Sequence, residues 1–343
     1  MHDGMFIFDN AIHAYDNSSI NVLESDRAAA DHFTVGPGSV GQTLAVFPQL
    51  DRSGRLESDP DFGHKRLGVD EALKLLFEDS DTDMAMAQTV PIKDFWKDFL
   101  YPLQLNYELK QAAPDRILFC GAVDPTTMTT KECLASMEHQ VRELGATSFK
   151  FYQSGADEQH WMADDREVAY PIFEKALELG VTCLQFHKGF AFSQQIMGPW
   201  LRCEDLQRPA RDFPEATFVI HHLGWPYEDA SIQIASRFPN MVMSYAGLIQ
   251  FYPLMPDLTL HALGKALLFL GPDRVLYGSE GFVWPNVQST IEMFNEMQFS
   301  DEMQDRWGYP EITRDIREKL FGRNFARIMG VDIDAKSKLL GVS

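Results

Sequence analysis

The sequence predicts an α/β fold: a single (β/α)8 TIM-type barrel over 1–343, with an insertion at 50–115 after its second strand. Three observations carry this reading. Short apolar runs rich in β-branched and aromatic residues recur along the chain, and such runs read as buried strands. From about residue 115 they alternate with helical stretches, the pattern of a parallel sheet. Four of the runs lead into His13, His187, His222 and Glu280, and residues at the C-terminal ends of parallel barrel strands converge on one mouth.

Taken in order, 5–12 supplies the first strand and 42–49 (QTLAVFPQ) the second. The charged stretch LDRSGRLESDPDFGHK, followed by helical patterns at 68–78 and 92–112, reads as the insertion. Such a segment either caps a barrel mouth, builds a subunit contact, or is a solvated excursion without a role. The remaining strands fall at 116–122, 147–152, 181–187, 217–222, 241–246 and 274–279, with helices at 130–144, 166–179, 203–212, 228–237 and 258–270. Gly145 and Gly180 stand just past helical runs, where a helix terminus favours glycine. At 311–329, Ile316, Leu320, Phe321 and Phe325 recur at helical spacing and form a packing face, not a cofactor box.

The composition is that of an ordinary globular protein, and no apolar run is long enough to cross a bilayer. A net charge of −20 argues against nucleic acid and anionic membranes as partners. It permits an anionic small-molecule substrate, because a metal makes its site locally positive. Cys120, Cys133, Cys183 and Cys203 form no CxxC pair and read as reduced, buried thiols. MHDGMFIFDN has no basic leader before an apolar segment, so a cytoplasmic protein is expected. GPGSVG at 36–41 matches a dinucleotide fingerprint only formally: it precedes a strand, contains proline and opens no helix.

A single histidine at a strand end is more often a satisfied core residue than a ligand. Four metal-ligand types at four separate strand ends shift that balance. Adjacent strand residues point to opposite faces, so of the pair His221-His222 one faces the lumen. His222 is assigned inward and His221 outward, toward the helices. His13, His187, His222 and Glu280 suit one divalent metal ion, zinc first, with iron or manganese as alternatives. Such an ion activates water or polarises a carbonyl or carboxylate. Glu280 is then a ligand or the base, and His222 or Glu280 handles the proton. Lys150, between Phe149 and Phe151, is a candidate for holding an anionic substrate, unless it snorkels from the strand end. Trp225 and Trp284 follow two of the candidate ligands and wall an aromatic substrate, or merely pack their loops.

The motifs together resemble the amidohydrolase superfamily, in the amidohydrolase-related branch that includes aminocarboxymuconate-semialdehyde decarboxylase and several benzoate decarboxylases. IHAYD resembles the end of the first-strand D-x-H-x-H motif, GAVDP the third strand and SFKFY the fourth. LQFHKG resembles the fifth-strand histidine, FVIHHLGW the sixth-strand H-x-G and VLYGSE the last-strand G-S-D. KLFGRNFARIMGV resembles the C-terminal helix. The resemblance implies a barrel with a divalent metal at its mouth. It places Asp9 at the opening aspartate, His13 at the second histidine, and Ala11 where the first histidine stands in the family. Glu280 stands for an aspartate. The implied activity is metal-dependent hydrolysis or decarboxylation of a small carboxylated, aromatic substrate. The alternatives are an iron- or manganese-dependent oxygenase subunit on the same barrel, or a catalytically degenerate metal-binding partner subunit. A homodimer, or pairing with a related subunit, is expected.

Overall fold

The computed structural model describes residues 1–39, 41–42, 62–156, 158–196, 198–284 and 286–342. Eight parallel strands run in sequential order: β1 Phe8–Ile12, β2 Met84–Gln88, β3 Ile117–Ala122, β4 Ala146–Phe151, β5 Cys183–Phe186, β6 Thr217–Ile220, β7 Met241–Ser244 and β8 Val275–Leu276. The last strand returns to the first through a parallel bridge between Ile12 and Gly281. The Asn10 N–H also donates to the Tyr277 carbonyl at 3.3 Å. The sheet is thus a nearly closed TIM barrel with helices between its strands, as the sequence predicts.

Six strands lie within a few residues of their expected positions, and β1 is the C-terminal part of 5–12. The second strand does not. The expectation at 42–49 lies, from residue 43 on, outside the described residues, and the barrel's second strand is Met84–Gln88, inside the stretch expected as the insertion. Its sequence, MAMAQ, has no β-branched or aromatic residue and so carries no strand signature. All five residues are buried, and burial on both faces rather than intrinsic preference makes it a strand. The excursion therefore precedes β2 instead of following it. The expected helix at 92–112 begins only at Leu103, because Pro102 cannot sit inside a helix and stands at its N-cap.

Two apolar layers enclose the barrel wall. Phe8, Met84, Met86, Cys120, Cys183, Val219, Val242 and Leu276 fill the lower lumen, closed from below by Phe325 and Ala326. The rings of Phe8 and Phe325 meet edge to face, centroids 4.7 Å apart. The expected C-terminal packing face is real, although its helix passes through a π-helical segment at Lys319–Arg323. All four cysteines are buried and unpaired. Among the described residues no helix is long and apolar enough to cross a membrane.

Candidate active site

Above the apolar floor the lumen becomes polar. Gln88 on β2 reaches across to Gln185 on β5, donating to its Oε1 at 2.8 Å. The Gln185 amide donates in turn to Ser148 Oγ at 2.9 Å. Ser244 Oγ donates to Asn10 Oδ1 at 3.0 Å. Lys150 is fully buried at this level, its Nζ 5.7 Å from the Tyr152 ring centroid and without a hydrogen-bond partner. Burial pushes its ammonium down to about 7, against the opposing pull of Glu280. Lys150 is not among the residues lining the inner cavity.

The mouth of the barrel brings His13, His187, His222 and Glu280 together around a single small cavity. Three of the histidines share one arrangement. His13 Nδ1 lies 3.0 Å from the Gln88 carbonyl, His187 Nε2 3.0 Å from the Phe190 carbonyl, and His222 Nδ1 2.8 Å from the Ala246 carbonyl. A carbonyl only accepts, so each of these nitrogens carries a proton, and the rings of His187 and His222, held neutral by burial, each present a lone pair on the other nitrogen. Those two free nitrogens face each other, His187 Nδ1 and His222 Nε2 being 3.1 Å apart, while His13 Nε2 is hydrogen-bonded to Glu280 Oε2 at 3.2 Å.

His221 is also in the lumen, which corrects the outward assignment. Its Nε2–H donates to Gln185 Oε1 at 2.9 Å, and the residue is fully buried. The alternation of faces applies only to extended backbone. β6 ends at Ile220, and His222 and Leu223 take left-handed φ values of 58° and 51°. The turn swings both imidazoles inward. Among the described residues six non-glycines have such φ values, and four of them, Phe190, His222, Leu223 and Glu280, sit at this mouth. Backbone held in this region costs on the order of 1–3 kcal/mol per residue and gathers where side-chain placement matters more than relaxation.

The electrostatics keep the imidazoles of His187, His221 and His222 neutral. Burial, reinforced by His222 and Lys150, holds His187 well below the usual histidine range. Burial with Lys150 and His222 does the same to His221. Burial pushes His222 down to about 4, although Glu280 pulls the other way. For Glu280 burial alone would raise the carboxyl, but the facing His13 and His222 outweigh it and hold the group down at about 2. Neutral imidazoles beside an ionised carboxylate are the protonation states a divalent cation needs of its ligands.

The inner cavity is about 40 Å³ and is completed by Tyr101, Tyr152, Phe190, Phe192, Val283 and Trp284. The Tyr152 ring stacks on His187 at 4.3 Å, and Tyr101 stands 5.3 Å from the His13 ring. Phe190, Phe192 and Trp284 are shared with an outer chamber of about 380 Å³, lined also by Trp225, Tyr227 and Phe251. Trp284 thus borders both spaces, while Trp225 belongs to the outer one, where it stacks on Phe251.

The donor set fits a metal ion. Two ligands of a tetrahedral ion with bonds of about 2.05 Å stand about 3.3 Å apart, close to the 3.1 Å between His187 and His222. Ligand histidines characteristically give their second N–H to a carbonyl or other acceptor, as His13, His187 and His222 do. His221 Nδ1 and Glu280 Oε1 are buried without a hydrogen-bond partner. The compact trio His221, His222 and Glu280 has its ligand atoms within 4.8 Å of one another.

The sequence profile described as Amidohydrolase matches residues 72–331. The chain belongs to the amidohydrolase family. It is an enzyme of that metal-dependent family, as the motifs imply. An uncharacterised TIM-barrel protein of Bordetella bronchiseptica is 18% identical, with a TM-score of 0.62 over 95% of this chain and 99% of that one. A zinc-bound amidohydrolase of Burkholderia multivorans is 17% identical, with a TM-score of 0.57 over 95% and 100%. A 5-carboxyvanillate decarboxylase of Novosphingobium aromaticivorans, complexed with manganese and 4-hydroxy-3-methoxy-5-nitrobenzoic acid, is 15% identical, with a TM-score of 0.57 over 96% and 97%. At these identities the likeness is one of fold. No curated protein matches the sequence.

Sequence reasoning missed Tyr101, Tyr152, Phe190, Phe192 and His221 in this amidohydrolase site. Tyr152 is the last residue of TSFKFY and follows β4, so its position was a usable signal. Tyr101 comes from the loop between β2 and the helix at Leu103–Ala112 and carried none.

Proposed function

We propose that this amidohydrolase is a metal-dependent decarboxylase of a small aromatic carboxylate. The observation that carries the reading is the junction of two spaces. His13, His187, His222 and the Glu280 carboxylate surround a cavity of about 40 Å³, which opens into an aromatic chamber of about 380 Å³. A water needs roughly 10–15 Å³ by this measure, so an ion and one carboxylate fill the inner space and leave little for a separately activated water. That favours decarboxylation over hydrolysis. The solved decarboxylase with a bound nitrobenzoic acid supports the substrate class.

His13, His187, His222 and Glu280 would hold the ion, zinc or, as in that decarboxylase, manganese. When bound, it supplies a positive charge that orients the substrate carboxylate and an adjacent oxygen. The chain's own residues do the rest. Phe190, Phe192 and Trp284 flank the ring and exclude water, and Trp225 closes the outer wall. Lys150 places a second titratable cation beneath the site. Glu280 is the group placed to relay a proton from solvent to the ring carbon that loses CO2, since His222 would bind the ion through Nε2. The Ala246 carbonyl fixes the His222 tautomer.

The test is a panel of hydroxybenzoates incubated with zinc- or manganese-loaded protein, followed by CO2 release and product chromatography. CO2 with the decarboxylated arene supports the reading. Turnover of esters, amides or lactones without CO2 overturns it in favour of hydrolysis.

A further inference from the structure

We propose that His221 is a further metal ligand and supplies the imidazole that Ala11 cannot. The inference rests on the metal-dependent reading above and extends it to a residue outside the four strand-end positions. At position 11 the chain has a methyl group with no lone pair to give, buried completely on β1. Across the lumen, His221 has a nitrogen with nothing to receive its lone pair. Its Nε2–H is committed to Gln185 Oε1 at 2.9 Å. Gln185 cannot turn its amide around, because its Oε1 also accepts from Gln88 and its Nε2 donates to Ser148. The His221 tautomer is therefore set from outside the ring, and Nδ1 is left as a buried acceptor without a hydrogen-bond partner.

His221 belongs to the compact donor group. The ligand atoms of His221, His222 and Glu280 lie within 4.8 Å of one another. Ligands of one ion with bonds of about 2.0–2.2 Å stand roughly 3.3–4.4 Å apart, so a contraction of about an ångström closes the group around a cation. Glu280 Oε1, likewise buried and without a hydrogen-bond partner, is the oxygen left open on the carboxylate. Two consecutive histidines serve one site because the left-handed turn at His222 removes the strand alternation that would separate them. Gln185 is the positioning residue: it orients the ligand as an outer-shell acceptor does.

The experiment compares Zn²⁺ affinity, measured on metal-stripped protein by competition with a chromogenic chelator, in the wild type, His221→Gln, Gln185→Leu and His222→Ala. Glutamine keeps a donor toward Gln185 and lacks the Nδ1 lone pair. We expect His221→Gln to weaken Zn²⁺ binding at least tenfold, and Gln185→Leu to weaken it about ten- to hundredfold through the loosened ring. A crystal structure of the zinc-loaded wild type should place His221 Nδ1 in bonding contact with the ion, which decides the matter even where a variant does not fold. Wild-type affinity in His221→Gln alongside loss in His222→Ala, or zinc density with His221 Nδ1 turned away, overturns this inference alone. A wild type that binds neither Zn²⁺ nor Mn²⁺ overturns the metal-dependent reading itself.

Discussion

His187 Nδ1 and His222 Nε2 face each other across 3.1 Å with no proton between them. Each ring spends its N–H on a backbone carbonyl, Phe190 for His187 and Ala246 for His222. Burial disfavours the protonated form of both. Two opposed lone pairs in a buried site repel unless something positive lies between or beside them, and this repulsion is the physical ground for the predictions on metal binding.

Zinc should stabilise the protein through this pair. At a free concentration one hundred times Kd, a ligand bound only by the folded state adds about 2.7 kcal/mol. Thermal melts with and without Zn²⁺ should show that gain in the wild type and little of it in His187→Ala. An equal zinc shift in both proteins would remove His187 from the ligand set.

Acid should destabilise the metal-free protein between pH 6.5 and 4. His222 is pushed down from 6.5 to about 4, so the unfolded chain takes up a proton that the folded one refuses. Its contribution is complete above pH 6.5 and is lost as pH falls toward 4, about 3 kcal/mol at most. His187 and His221 shift the same way. Asp9 works in the opposite sense: burial raises it from 3.8 to about 6, so the folded state holds its proton more tightly and gains as pH falls through that range. Burial also raises Asp83, Asp98 and Asp124, in the same sense as Asp9, but the three imidazoles, two of them held well below the histidine range, outweigh these carboxyls. Urea midpoints at pH 7.5, 6 and 5 should fall, and more steeply in Asp9→Asn. Midpoints that rise on acidification would contradict the neutral imidazoles.

Gly247→Ala should injure the site more than the fold. Gly247 has φ +82°, and a Cβ there would stand 2.7 Å from His222 Nδ1. The methyl group has to push the ring off the Ala246 carbonyl. The expected stability loss is about 1–2 kcal/mol for the left-handed backbone, read from urea unfolding. Metal affinity should fall about ten- to hundredfold, read by chelator competition. Unchanged affinity would mean that the Ala246 contact does not position His222.

Trp225→Ala should affect substrate and spare the metal. Trp225 packs against Phe190 and Phe251, with centroids 5.6 and 6.1 Å away, in the outer chamber only. Losing one aromatic contact of about 0.5–1.5 kcal/mol corresponds to a roughly two- to twelvefold rise in KM for an aryl substrate. A variant with altered zinc affinity and unaltered KM would place Trp225 in loop support instead.

The family and the barrel were legible because their signals are local. Strand runs such as TFVI and CLQF declare themselves by composition, and His13, His187, His222 and Glu280 are fixed to the ends of such runs by chain order alone. A parallel barrel then has one place to put them. The missed second strand marks the limit of that logic: MAMAQ becomes a strand only because neighbours bury both its faces.

What the tertiary structure decided is which groups meet. His221 enters the lumen because left-handed backbone at His222 and Leu223 ends the alternation on which the outward assignment relied. Gln88 and Gln185, 97 residues apart, set the tautomer of that ring. Tyr101 reaches the cavity from the loop that follows β2, and Trp284 comes to border both the cavity and the chamber. Periodicity encodes the face of an extended strand, but a turn's φ and a contact across the lumen depend on the closed barrel.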